Sequence, residues 1–183
     1  EKESLNANFI ATALGMGLLN LEFLKDENLS KMSLVLDANV FLSEAILPFL
    51  QREDVVLTPH PKEFTRLFKM CFKEDLSVEE LQKRRFFYVE KFLQNYPCVL
   101  ILKGANPIIG QKNRHYVVNL GTANLAKGGS GDVLAGMIAA LLGAGFSPLK
   151  AAKNAVLAHA LVSKAYQFNA NSFDALKLIK GLK

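Results

Sequence analysis

Leu125-Ala126-Lys127-Gly128-Gly129-Ser130-Gly131-Asp132-Val133-Leu134-Ala135-Gly136 is the stretch around which this chain is organised. Three glycines and a serine lead directly into a long apolar run, with a carboxylate at its start. The glycines free the backbone to gather several N–H groups. A helix beginning there adds its unpaired N-terminal donors and the positive end of its dipole. Such a combination binds anions, most often phosphate. Asp132 would repel a bound phosphate, so its place is explained if it takes the proton from a hydroxyl that attacks the phosphoryl group. Ordinary helix capping is the competing reading, with Ser130 as N-cap and an acid in the first turn. The stretch is not a Walker A loop, because Asp132-Val133 follows the last glycine where Lys-Ser/Thr is required. Nor does it follow a strand in the dinucleotide-binding pattern.

Working outward, short apolar runs alternate with helical patterns. Phe9 to Leu14 reads as a buried strand ending in a tight turn at Gly15-Met16-Gly17, and Leu18 to Lys25 as a short helix. Ser33 to Leu36 is a second strand, stopping at Asp37, and a helix is expected from about Val40 to Leu50. Val55-Val56-Leu57 is a third strand. It ends in Thr58-Pro59-His60-Pro61, where two prolines forbid further pairing and Glu63 is placed to cap the next helix. Ser77 and Glu80 form a capping-box pattern for an amphipathic helix carrying Val78, Leu81, Val89 and Phe92. Lys83-Arg84-Arg85 reads as its solvated face. Val99 to Leu102 is a fourth strand leading to Lys103-Gly104, and a hairpin follows, Ile108 to Gly110 against His115 to Val118. Pro148 opens an Ala-rich helix reaching about Phe168, and Ser172 to Lys180 forms a short last helix.

This alternation predicts an α/β domain with a largely parallel sheet. Asp37, Thr58 with His60, and Lys103 with Gly104 each stand at the end of a different strand. In open α/β sheets ligands bind outside the carboxyl ends of the strands, so these residues and the glycine-rich helix start are expected to share one crevice. Lys103 is the candidate phosphate-facing cation, and His60, held between prolines, is a candidate substrate contact. Asp37 could simply cap the helix after it. His115 and His159 read as structural.

Bulk composition fits one domain with a substantial core: 183 residues, half of them apolar, 21% charged, net charge +5. The mild basic surplus suits acidic, phosphorylated ligands and points to no nucleic-acid partner. Cys71 and Cys98 have neither metal nor redox spacing, and Cys98 reads as a buried thiol. No run reaches the roughly 18 continuous apolar residues of a membrane span, and a cytoplasmic protein is expected. No His or Cys cluster suggests zinc, and no Ser or Cys sits in a nucleophile elbow.

Taken in order, Gly15-Met16-Gly17-Leu18, Leu36-Asp37-Ala38-Asn39, Thr58-Pro59-His60-Pro61-Lys62-Glu63, Leu102-Lys103-Gly104-Ala105 and Ala126 to Gly136 resemble the ADP-dependent NAD(P)H-hydrate dehydratases. These are a branch of the ribokinase-like superfamily. The resemblance spans nearly the whole chain. It implies a three-layer α/β/α fold with a largely parallel central sheet, and a single dehydratase domain over 1–183 that lacks the family's N-terminal strands. It further implies ADP-dependent dehydration of the S epimer of NADH hydrate or NADPH hydrate, releasing AMP and phosphate. Carried over by position, Asp132 is the base, and Gly129 and Gly131 stabilise the moving phosphoryl group. Lys103, Gly104, Ala105, Asn106, Pro107 and Gly131 bind ADP or AMP, while Gly17, His60 and Asp132 contact the hydrated cofactor. Magnesium would bridge the phosphates with no protein ligand assigned. The resemblance also implies a homo-oligomer, commonly a tetramer, and an epimerase domain often fused ahead. Lys62, Leu125, Lys127, Pro107 and Asn39 depart from the family pattern. A small-molecule kinase of the same superfamily and a silent nucleotide-binding module are the rival expectations.

Overall fold

The computed structural model describes residues 11–15 and 21–182. Four short strands, β1 (Ala11–Leu14), β2 (Ser33–Leu36), β3 (Val55–Leu57) and β4 (Val99–Leu102), pair in parallel in sequence order. The hairpin β5 (Ile108–Gln111) and β6 (Arg114–Val117) continues the sheet antiparallel. The result is six strands in the order β1 to β6 among the described residues.

Strand periodicity divides the core in two. Leu34 and Leu36, Val55 and Leu57, and Leu100 and Leu102 face one side, where they meet α1 (Pro61–Phe72) and α3 (Arg85–Leu93). Val35, Val56, Val99 and Ile101 face the other, against α4 (Ser130–Gly143) and α5 (Pro148–Ala165). Both faces are covered, so β2, β3 and β4 are buried nearly throughout and read as continuous apolar runs rather than alternating ones. Each fully buried Leu or Phe contributes about 1.5–3 kcal/mol of burial, and Phe41, Phe64, Phe68 and Phe92 fill the first side. Cys98 is buried just before β4, and burial pushes its thiol pKa up.

Several expectations need correction. In β1 only Leu14 is buried, so this is not the buried strand expected, and Phe9, Ile10 and the Met16-Gly17-Leu18 turn lie outside the described residues. The helix expected over Val40 to Leu50 is two 3-10 segments, Ala38–Leu42 and Glu44–Gln51. Ser43 between them is extended and accepts from the Ala45 N–H, and Pro48 withholds a donor, so no α-helical ladder runs through. Leu21–Lys25 is likewise 3-10. The helix after Ser77 breaks at Arg84, giving a separate α2 (Val78–Lys83), and Val78 is exposed. Ser77 accepts from the Glu80 N–H, which is one half of the expected capping box. The Ala-rich helix stops at Ala165, leaving Phe168 77% exposed. The last helix, α6, is Ala175–Lys180, capped by Asp174.

Candidate active site

The carboxyl ends of β2, β3 and β4 bring their polar residues to one edge. Asp37, just past β2, makes no side-chain cap for the 3-10 segment after it. Its buried carboxylate instead accepts from Lys103 Nζ at 2.7 Å, pairing the ends of β2 and β4 across 66 residues of sequence. Glu63 Oε2 lies 3.9 Å from the same ammonium. Glu63 also completes a capping box at the start of α1: its carboxylate accepts from the His60 N–H at 2.7 Å, and its own N–H donates to His60 Nδ1. The Thr-Pro-His-Pro loop is thereby held against the lysine, and the Lys103 N–H donates to the Pro59 carbonyl at 2.9 Å.

The glycine-rich turn meets this cluster. Gly129 has φ 82°, a left-handed conformation that favours glycine, and it stands at the N-cap position expected for Ser130. Ser130 is instead the first helical residue, buried, with its Oγ 3.1 Å from His159 Nε2. That nitrogen also lies 2.9 Å from the Ser130 carbonyl, and because a carbonyl only accepts, Nε2 carries the proton. Burial lowers the His159 pKa, the bond to Ser130 works against this, and the Lys103 charge adds to the lowering. A Cβ on Gly131 would lie 3.4 Å from both Asp37 Oδ2 and Lys103 Nζ, so only a hydrogen separates this helix start from the ion pair. The Gly131 and Asp132 N–H groups find no acceptor among the described residues. Two open donors at the positive end of a 14-residue helix, beside an ammonium, make an anion site.

A cavity of about 660 Å³ opens from that site. Its polar end is formed by His60, Lys103, Ser130 and Gly131, and its apolar wall by Leu125, Leu134, Val156 and Ala160. Gly104, Ala105 and Pro107 line the side formed by the loop after β4. An apolar slot with an anion site at one end suits a nucleotide. Six of the expected residues therefore line one cavity: His60, Lys103, Gly104, Ala105, Pro107 and Gly131. Asn106, Gly129 and Asp132 do not line it. Asn106 is exposed on the loop, Gly129 shapes the turn, and Asp132 is exposed in the first turn of α4 with no hydrogen bond or ion pair among the described residues. Gly17 lies outside the described residues.

Two contributors were not visible as such in the sequence. His159 is packed, as expected, but it also lines the cavity. Arg85, expected on a solvated helix face, turns inward and donates to the carbonyls of Leu102, Lys103 and Asn106. No sequence signal marked Arg85, because its place in the first turn of a helix, where the dipole disfavours a cation, follows only from the break at Arg84.

Known proteins resemble this chain in sequence and in fold. Residues 2–182 match the NAD(P)H-hydrate dehydratase family model. The bifunctional NAD(P)H-hydrate repair enzyme Nnr of Helicobacter pylori is 45% identical over 176 residues, covering 94% of this chain and 37% of that protein. The ADP/ATP-dependent NAD(P)H-hydrate dehydratase from Bacillus subtilis, co-crystallized with ATP and Mg2+, is 29% identical with a TM-score of 0.75. That match covers 94% of this chain and 62% of the other, so the chain spans less than two thirds of each of these two proteins. A hydroxyethylthiazole kinase from Pyrococcus horikoshii, 20% identical with a TM-score of 0.70, over 94% of this chain and 70% of its own, shares the fold. The architecture is the ribokinase-like three-layer α/β/α fold.

Proposed function

The chain belongs to the NAD(P)H-hydrate dehydratase family, and from that premise we propose that it removes water from the S epimer of NADH hydrate or NADPH hydrate at the expense of ADP, within one domain. The observation that carries this reading is the open N–H of Gly131 beside Lys103 where both line an apolar cavity, with the Asp132 N–H next to it also open among the described residues. ADP would lie with its base and ribose along Leu125, Leu134 and Val156 and its phosphates at the start of α4.

Asp132 takes the proton from the hydroxyl on the hydrated nicotinamide ring. The freed oxygen forms a bond to the terminal phosphorus of ADP as the bond to AMP breaks. The phosphate ester then leaves with its C–O electron pair, a ring proton is lost, and the double bond is restored. The water removed thus ends as an oxygen of phosphate. A carboxylate without a partner among the described residues is free to accept that proton, which supports Asp132 as the base. The N–H groups of α4 are suited to hold the negative charge that spreads over the phosphoryl oxygens in transit. His60, its ring on Glu63 at 3.2 Å, would contact the second substrate.

Magnesium fits this donor set. Among the described residues no group of three or more His, Cys, Asp or Glu could hold a metal. Magnesium needs only one or two carboxylates alongside phosphates and water, and Asp37 Oδ2, beside Gly131, is the carboxylate oxygen at hand. When bound it would supply neutralising charge to the phosphates. No helix among the described residues is long and apolar enough to cross a membrane, in keeping with an enzyme of the cytoplasm. The exposed Leu157 and Leu161 on α5 suit a homo-oligomer such as a tetramer. The Helicobacter pylori relative is named a bifunctional repair enzyme, and fusion of this domain to an epimerase would fit the same role.

The test is to incubate the protein with NADH hydrate, magnesium and ADP and follow the return of NADH absorbance, with Asp132→Asn beside it. The variant should lose about 10²–10⁴-fold in rate with its melting temperature nearly unchanged, since the side chain has no partner among the described residues and loses only its small interaction with the helix dipole. Turnover surviving in the variant removes Asp132 from its role. Absence of NADH from the unmodified protein sinks the dehydratase reading and leaves the kinase and the silent module.

A further inference from the structure

Among the described residues, Arg85 is the side chain that bonds the backbone carbonyls of the loop lining the cavity, from outside the cavity. Its Nη1 donates to the Asn106 carbonyl at 3.0 Å, and its Nη2 to the carbonyls of Leu102 at 3.2 Å and Lys103 at 3.3 Å. These three oxygens span the whole turn from the end of β4 to the residue before Pro107. Directed at the guanidinium, they are kept from facing an anion in the cavity. Gly104, at the centre of the turn, has φ 149°, and a Cβ there would lie 3.1 Å from Arg85 Nη2. Loop and guanidinium are therefore fitted to each other.

Helix stability does not account for this arginine. It occupies the first turn of α3, where acidic residues are favoured and cations are not. It forms no ion pair among the described residues, its Nε is buried without an acceptor, and burial lowers its pKa. A half-buried charge with no carboxylate is costly unless something nearby is improved by it. The neighbour in question is the nucleotide loop, whose own cation is already occupied. Lys103 is paired with Asp37 at 2.7 Å and has Glu63 at 3.9 Å, one ammonium against two carboxylates. Arg85 restores positive charge beside that set. Its planar fork also serves several carbonyls in a way a point-like ammonium does not.

Resting on the nucleotide-binding part of the function proposed above, we infer that Arg85 is a positioning residue for the nucleotide, holding the Lys103–Pro107 loop in its binding shape before ADP arrives. It touches neither substrate. Its effect passes through the loop backbone and is read in affinity for ADP.

The test measures ADP binding with magnesium by calorimetry on the folded protein, Arg85→Met and Arg85→Lys, together with thermal melting and amide exchange over residues 102–107. Arg85→Met should weaken ADP binding by about tenfold or more, the loss expected of charge-assisted hydrogen bonds. Exchange should quicken in the loop but not in β2 or β3. Arg85→Lys keeps the charge but loses the fork, and should recover only part of the affinity. A lower melting temperature with ADP affinity within twofold of the unmodified protein, in either folded variant, overturns the inference and leaves Arg85 a merely structural residue. Should Arg85→Met not fold, Arg85→Lys alone decides by the same criterion. No ADP binding by the unmodified protein overturns both this inference and the nucleotide reading beneath it. Equal binding by all three overturns this inference alone.

Discussion

Two backbone segments border the cavity, and they dispose of their polar groups in opposite ways. In the loop after β4, the carbonyls of Leu102, Lys103 and Asn106 are taken up by Arg85, the Lys103 N–H by Pro59, and the Lys103 side chain by Asp37. At the start of α4 the N–H groups of Gly131 and Asp132 and the Asp132 carboxylate are left open among the described residues, and His159 anchors the turn through Ser130 alone. The first segment is built to keep a shape and the second to accept a ligand. Buried polar groups are normally satisfied, so donors left open at a helix start beside a cavity mark where an anion goes. Changes in the loop should thus appear as stability and affinity together, and changes at the helix start chiefly as lost chemistry, as with Asp132→Asn.

Asp37→Asn should show the largest effect on the loop side. It leaves the Lys103 ammonium, 22% exposed, with only the Glu63 carboxylate near it among the described residues, at 3.9 Å. Breaking such a pair costs about 2–3 kcal/mol, somewhat less than a fully buried one, or roughly 4–12 °C in melting temperature for a domain of this size. The freed ammonium should at the same time bind metal-free ADP, measured in EDTA, several-fold more tightly. A fall in both stability and metal-free affinity would show that Asp37 shapes the anion site and does not merely neutralise Lys103. Gly104→Ala comes next. Strain at φ 149° costs about 1–3 kcal/mol, and the methyl group presses on Arg85 at 3.1 Å. Melting temperature and ADP affinity should drop together, and a drop in the first alone would uncouple the loop's shape from binding.

Much of this arrangement was legible in the chain, and the remainder was hidden for physical reasons. β2, β3 and β4 announced themselves as short apolar runs because both sheet faces are covered, and each run stopped at a residue that could do chemistry. The Glu63 cap on the His60 loop was legible because its partners are three residues apart. The Asp37–Lys103 pair was not, since it joins residues 66 apart, and Asp37 read equally well as a cap. Arg85 was hidden by its neighbours: Lys83-Arg84-Arg85 looks like one solvated face until the break at Arg84 turns Arg85 inward. The stretch over 38–51 misled for a local reason. Its apolar spacing is helical, but Ser43 and Pro48 each break the α-helical hydrogen-bond ladder. Ser130 and Gly129 exchanged roles because a left-handed N-cap position suits glycine better than serine.

The smallest effect separates the two segments by pH. The Arg85 guanidinium keeps its charge throughout the acid range, so the loop's anchor is indifferent to acid. His159, the anchor of the helix start, is not. Its pKa is lowered chiefly by burial, so the folded protein resists protonating it while the unfolded chain takes up the proton near the ordinary value of about 6.5. The neutral ring's contribution to stability is therefore full above about pH 6.5 and is lost as the pH falls from there through the folded value. His159→Gln keeps an N–H donor for the Ser130 carbonyl and has no proton to gain. The two proteins should melt at similar temperatures at pH 8, with the unmodified one falling faster below pH 6.5, whereas Arg85→Lys should run parallel to the unmodified protein throughout. Parallel curves for His159→Gln would mean that acid acts elsewhere, and that Ser130 is held by the packing of α4 on α5 without help from the imidazole.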